Sequence, residues 1–216
     1  NGIDFNDIPV KQEANDTSQK IHLIGVAEIH YWHGFDRLLK GLANYYIHSP
    51  QYKVYFHIIG DFFNPGEREE YMSIIKENHL NPYVILHGRQ AGQMLDLLFE
   101  LCDFGIGSLG RHRSGITNIK TLKNREYAAR GIPFIYSEID EDFENMPYIM
   151  KIPANEEAVD IKQILNFYNQ LHITPLEIRN SIRHLSWNNQ MKKVLDEMQK
   201  KDKINLNNNN IANFAT

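Results

Sequence analysis

Short apolar runs of strand length alternate along this chain with stretches whose apolar residues fall at helical spacing. Such alternation is the signature of βα units laid around a parallel sheet. Five runs stand out, at 21–26, 54–59, 83–86, 104–108 and 133–136, and 148–152 is a candidate sixth. After the first run, Phe35, Leu38, Leu39, Leu42 and Tyr46 share one helical stripe. Tyr71, Ile74 and Ile75 do so after the second, and Met94, Leu97, Leu98 and Leu101 after the third. A helix beginning near Thr121 and stopping at Gly131 leads into the fifth, and 156–168 and 175–185 also have helical spacing. The pattern predicts a Rossmann-like, three-layer α/β/α domain with a parallel sheet of about six strands.

The final helix carries Trp187, Met191, Val194, Leu195 and Met198 on one side. A stripe of that kind needs a partner, either the core of this domain or a further domain. Residues 1–20 hold few apolar anchors and are expected to be an entry or linker segment to a folded domain at 21–204. Residues 205–216, with their run of asparagines, are expected to be a flexible tail.

Composition narrows the class. A chain of 216 residues, 42% of them apolar, suits one large domain. The net charge of -4 gives no general attraction to nucleic acid or anionic lipid, so any cationic function must be local. Cys102 is the lone cysteine, which excludes an internal disulfide framework and fits a reducing compartment and a core position. No apolar run approaches the roughly 18 residues needed to span a bilayer, so a soluble, cytoplasmic protein is expected. The chain starts at Asn1 rather than at a methionine and reads as a piece of something longer.

In an open parallel sheet, ligands bind beyond the carboxyl ends of the strands. The loop after the first run, Glu28-Ile-His-Tyr-Trp-His-Gly34, is rich in histidine and aromatic residues. Gly34 lets the backbone approach a ligand at a helix N-terminus. His30 and His33 have no third or fourth ligand at a recognisable metal spacing, so no metal is expected. Gly60-Asp61 ends the second run; His87, Gly88, Arg89 and Gln90 follow the third, where backbone groups could meet a nucleobase and Arg89 a phosphate, or a plain surface turn could stand.

The longest loop, 108–121, ends in a helix capped by Thr121 with Lys120 and Lys123 beside its first turn. Free amides, a capping hydroxyl and two lysines suit a diphosphate. Glu126 lies about 7 to 8 Å along the axis, at 1.5 Å per residue, where a carboxylate can accept from ribose hydroxyls. The alternative is that Glu126 pairs with Arg125, Arg130 or Lys123 on a solvated face, and spacing alone leaves both open.

At these residues the chain resembles the carboxy-terminal domain of GT-B glycosyltransferases, in particular the retaining group known as family 4. The resemblance covers about 1–198 and rests on Asn-Gly-Ile-Asp at 1–4, Trp-His-Gly-Phe-Asp-Arg-Leu-Leu at 32–39, Ile-Ile-Gly-Asp at 58–61 and Leu-His-Gly at 86–88. Its most specific part is Leu-Lys-Asn-Arg-Glu-Tyr-Ala-Ala-Arg-Gly-Ile-Pro-Phe-Ile at 122–135. The resemblance implies that Glu126 holds the donor ribose, that the Thr121 and Leu122 amides hold the diphosphate, and that the Gly88 loop faces the base. It also implies a nucleoside-diphosphate sugar as donor, no metal cofactor, no nucleic-acid partner, and a glycan or lipid-linked acceptor bound through an amino-terminal domain. Transfer would proceed with retention in polysaccharide or glycoconjugate biosynthesis, and peripheral membrane association would come through that other domain.

Two positions depart from the family pattern. Asn118 stands where the first of two glutamates is usual, and His33 stands where a lysine is usual, with no clear arginine on that loop. Arg111, Arg113, Lys120 or Lys123 are the candidate substitutes. A non-catalytic nucleotide-binding module and a sugar-nucleotide epimerase on the same architecture are the rival readings. Donor hydrolysis separates the first rival, and isomerised donor without acceptor identifies the second.

Overall fold

The computed structural model describes residues 1–13 and 19–213, with side chains described to residue 201. Residues 14–18 of the expected linker and 214–216 of the expected tail lie outside the described residues.

Six strands, β1 (Lys20–Val26), β2 (Lys53–Ile59), β3 (Val84–Leu86), β4 (Phe104–Ile106), β5 (Phe134–Tyr136) and β6 (Ile149–Lys151), form one sheet in the order β3-β2-β1-β4-β5-β6. Every pairing is parallel, in the register Ile21↔Val54, Leu23↔Phe104, Phe56↔Val84, Gly105↔Phe134 and Ile135↔Met150. The helices α1 (Phe35–Tyr46), α2 (Pro65–Glu77) and α5 (Ile161–Asn169) cover one face. On the other lie α3 (Gly92–Leu101), α4 (Leu122–Arg130) and α6 (Pro175–Ser181). This is the three-layer arrangement that the alternation predicts.

Local chemistry explains where the elements start and how they dock. Thr121 caps α4 by accepting the Asn124 amide, and Asn64 caps α2 by accepting that of Glu67. Thr174 and Glu177 form a capping box on α6, with Pro175 at its first position. Gly25 on β1 and Gly105 on β4 have no side chain to hold neighbours off. A Cβ at Gly25 would come within 2.7 Å of the Phe35 ring, and one at Gly105 within 2.8 Å of the Tyr127 ring. α1 and α4 therefore settle directly on the centre of the sheet, from opposite faces.

Several elements differ from the sequence pattern. The helix expected from 156 begins at Ile161, capped by Asp160, because the backbone at 153–157 is held instead by Arg37, which donates to Glu157 O (2.8 Å) and Pro153 O (3.2 Å). The helix expected over 175–185 ends at Ser181, and Arg183–Leu185 is a 3-10 turn. On α3 it is Leu98 and Phe99 that are buried, while Met94, Leu97 and Leu101 face outward. The apolar side of the last helix, α7 (Trp187–Asn213), is also uncovered, from 47% exposed at Trp187 to 57% at Met198.

The chain ends are described in part. The opening segment is tied down: Ile3 pairs with Ser186, Trp187 donates to Ile3 O (3.1 Å), and Arg179 donates to Ile8 O and Phe5 O. At the other end α7 continues through the asparagine run to Asn213. A run of asparagines does not by itself end a helix, since Asn costs well under 1 kcal/mol relative to Ala in a helix interior. Among the described residues no helix is long and apolar enough to cross a membrane.

Candidate functional site

The sheet order reverses between β1 and β4, and in open parallel sheets such a reversal is where the ligand crevice lies, beyond the carboxyl ends of the strands. The two strands pair only over Leu23↔Phe104 and Ile24↔Gly105. Past that point the Tyr127 hydroxyl fills the gap, donating to Ile106 O (3.0 Å) and accepting from the Val26 amide (3.3 Å). Tyr127 thereby fixes α4 against the crevice, a role that its place beside Glu126 does not disclose.

The loop after β1 forms a 3-10 turn, Tyr31–His33, and then Gly34 in the left-handed region (φ 66°). Gly34 is a place where glycine is required twice over. A Cβ there would lie 2.6 Å from Gly110 N, so this loop and the one after β4 meet backbone to backbone. Phe63, His30, Trp32 and the Arg111 guanidinium stack in series on the rim, with ring centroids 4.2 and 4.0 Å apart and the guanidinium 5.6 Å from the Trp32 ring. Among the described residues no three His, Cys, Asp or Glu side chains are grouped to hold a metal ion.

His33 is buried, and its Nδ1 accepts the His30 amide (3.1 Å). The proton of the neutral ring therefore sits on Nε2. Burial, with Lys123 and Arg111 nearby, lowers its pKa to about 2. His33 thus stays neutral and does not replace a cationic lysine. The sign of its pH effect follows: the unfolded chain takes the proton first, so the stability that neutral His33 contributes is full above about pH 6.5 and declines as pH falls toward 2. Thermal melts between pH 7 and 4 should show this decline, and His33→Gln should flatten it; an identical slope in the variant would remove His33 as its source.

The four candidate cations separate clearly. Lys120 lies outward, 3.3 Å from both Glu141 and Asp142. Arg113 is committed to Asp36 (2.7 Å) and Glu156 (2.5 Å) and donates to Tyr31 O (2.8 Å). Neither is available to a phosphate. Arg111 Nε and Lys123 Nζ, by contrast, are buried and take no hydrogen bond, and the Lys123 ammonium rests 5.4 Å from the Phe35 ring. Ser108 Oγ and both carboxylate oxygens of Glu138 are likewise buried and unpartnered. Burial pushes Lys123 down and Glu138 up, each held partly in check by the opposite charge of the other. These side chains come from the loop after β4, the first turn of α4 and the segment after β5, and they converge on the crevice.

Buried polar groups are nearly always paired, and a knot of unpaired ones marks a place for water, an ion or a ligand. Here the orphan donors suit an anion. Thr121 Oγ1 takes the Asn124 amide, and the other amides of the first turn, those of Leu122 and Lys123 included, have no acceptor within the helix. Glu126 is placed differently from a free carboxylate: its Oε1 accepts from Arg130 Nε (3.1 Å) and Nη2 (3.0 Å), the pairing that helical spacing left open. Asn118 is exposed, and its backbone bridges to Ile139.

Beyond the ends of β1 and β2, a cleft of about 200 Å³ is lined by Glu28, Gly60, Asp61, Arg89 and Gln90. A neighbouring one of about 440 Å³ reaches Asn64, Arg68 and Gly88. Gly60 (φ 123°) and Gly88 (φ 64°) are joined by a hydrogen bond from Gly60 N to Gly88 O (2.8 Å), which sets the floor between the two clefts. Gly88 and Arg89 thus lie on the β2–β3 side, apart from the cluster around Lys123.

No protein-family model matches the sequence, and no curated protein matches it. Solved structures do share its architecture. The lipopolysaccharide outer core galactosyltransferase WaaB in its apo form is 16% identical with a TM-score of 0.67, over 93% of this chain and 54% of that one. HepE from Anabaena, solved with UDP and glucose, is 17% identical at a TM-score of 0.67, over 93% and 56%. The C-terminal domain of the group 1 glycosyl transferase LpcC from Francisella tularensis is 14% identical at a TM-score of 0.56, over 84% of this chain and 96% of that domain. The chain spans about half the length of the glycosyltransferase from Rickettsia africae and of the sucrose-phosphate synthase from Thermosynechococcus elongatus that it also resembles. Its parallel six-stranded sheet, layered by helices on both faces, has the fold of the carboxy-terminal domain of GT-B glycosyltransferases.

Proposed function

We propose that this chain is the donor-binding half of a glycosyltransferase and holds a nucleoside-diphosphate sugar in the β1/β4 crevice. The observation that carries this reading is the convergence of Arg111 Nε, Lys123 Nζ and Ser108 Oγ, buried and unpartnered, on the N-terminus of α4. A diphosphate would supply the acceptors these donors lack, and the base would occupy the cleft beside Gly60 and Arg89. HepE, solved with UDP and with UDP-glucose, gives the same fold a nucleotide ligand. In transfer, the two cations and the helix amides would stabilise charge developing on the leaving diphosphate, with no metal ion required.

The acceptor, a glycan or lipid-linked sugar, would be held by a second, amino-terminal domain, which would also make any peripheral contact with the cytoplasmic face of a membrane. We assign retention of anomeric configuration and a role in polysaccharide or glycoconjugate synthesis on the same reading. The test is calorimetric titration of this chain with UDP, GDP, ADP and dTDP and with the glucose conjugate of each. Saturable binding of one base series below millimolar concentration is the expected result. If no series binds either to this chain or to a protein carrying the acceptor domain as well, the reading fails.

A further inference from the structure

Glu138 is 2% exposed, and neither carboxylate oxygen has a hydrogen-bond partner. Its backbone is fixed on both sides. Ser137 donates to Ser108 O (3.0 Å), while Ile139 donates to Thr117 O (2.7 Å) and accepts from the Ile119 amide (2.9 Å). The charged groups that face it are Lys123 from α4 and Arg111 from the loop after β4, with the neutral His33 beyond them. None of these makes a hydrogen bond to it among the described residues, and the polar atoms are closed off from solvent, so a ligand reaches them as the Lys123 and Arg111 side chains move.

A carboxylate only accepts hydrogen bonds, whereas the lysine and arginine around it only donate. A ligand that satisfies the whole cluster must therefore carry an anionic group and hydroxyl donors within a few ångströms of each other. That combination describes a sugar attached to a phosphate. Once phosphate oxygens draw the two flexible cations to themselves, Glu138 loses the opposite charges that, beside the nearby amides of Glu138 and Ser137, offset its burial. It must then gain a proton or gain hydrogen-bond donors.

We propose that Glu138 is the specificity residue for the donor sugar, accepting hydrogen bonds from its hydroxyl groups when the diphosphate engages Lys123 and Arg111. This rests on the nucleotide-sugar reading above. The simpler role, a counter-ion that keeps Lys123 charged, makes a different prediction.

The experiment compares each of UDP, GDP, ADP and dTDP with its glucose conjugate on the parent chain and on Glu138→Gln, whose fold is checked by thermal melting. Titrations are run in two buffers of different ionisation enthalpy, so that proton uptake is counted. In the base series that binds, the parent is expected to hold the glucose conjugate more tightly than the diphosphate. Glu138→Gln should shrink that advantage by about ten-fold or more, with diphosphate affinity equal to the parent's or higher. Proton uptake by the parent should not exceed that of the variant, since binding of the anion favours the charged form of Lys123 in both. A glucose advantage that survives in the variant, or equal losses for both ligands, overturns the proposal. So does uptake of a proton by the parent that the variant lacks, because Glu138 would then be satisfied by protonation. Absence of all nucleotide binding is a separate failure, that of the reading beneath.

Discussion

Arg125→Met is expected to lower the melting temperature by roughly 6 to 20 °C. Breaking a buried ion pair by removing one member costs about 3–5 kcal/mol, and for a domain of this size each kcal/mol moves the midpoint by about 2–4 °C. The Arg125 side chain is fully buried and bonded to Asp140 (3.2 Å), Asp142, Thr121 O (2.9 Å) and Asn1 O (3.3 Å). It joins four places at once: the start of the chain, the cap of α4 and two carboxylates after β5. Burial already pushes the Asp140 carboxyl up, so stripping away its cation leaves it to take a proton in place. The double variant Arg125→Met, Asp140→Asn should recover part of the loss, since it removes the unpaired charge. A drop of less than about 2 °C in the single variant would show that the network is not a stabilising one.

The second large effect is on binding and has the opposite relation to stability. Arg111→Met and Lys123→Met should each weaken nucleoside-diphosphate binding by about ten- to hundred-fold, the worth of a hydrogen bond to a charged group. Thermal stability should hold within about 2 °C, because Arg111 Nε and Lys123 Nζ make no hydrogen bond among the described residues, burial disfavours both charges, and Glu138, already pushed up by burial, can take a proton when either cation is removed. Residues kept for a ligand rather than for the fold behave in this way. Arg113→Ala is the contrast: it breaks contacts to Asp36 and Glu156 and should lower stability. If Lys123→Met instead lowers the melting temperature by much more than this margin while the folded variant binds as tightly as the parent, Lys123 is a structural residue.

The sheet was legible because strand and helix periodicities alternate without ambiguity, and each of the six runs coincides with a strand to within two residues at either end. What periodicity leaves out is coverage. Met94, Leu97 and Leu101 form an apolar stripe whether or not anything lies over them, and the same holds for Trp187 to Met198. The candidate site stands out in the sequence as a region, at the start of α4, and much less so residue by residue. Lys120 and Lys123 look equivalent on a helix wheel. Glu141 and Asp142, some twenty positions further on, claim the first and leave the second for the interior.

In the same way Arg113 and Arg111 are separated only by the reach of Asp36, which sits on another element. Glu138 did carry a local signal, a charged residue two positions beyond a buried apolar run at the ligand-binding end of the sheet. Its lack of any partner is a fact of three dimensions.

The backbone contact between Gly34 and Gly110 has a thermodynamic consequence. Together with Arg37, which donates to Leu109 O, and with Arg113, which links Asp36 to Glu156, it makes the two loops around the crevice a single braced frame. Whatever enters meets a main chain already in place, so the configurational entropy surrendered on association falls on a few rotamers of Arg111 and Lys123. Preorganisation of that kind raises affinity without adding a contact. A side chain at Gly34 would therefore weaken binding through disorder in the frame, even though glycine offers a ligand nothing to hold.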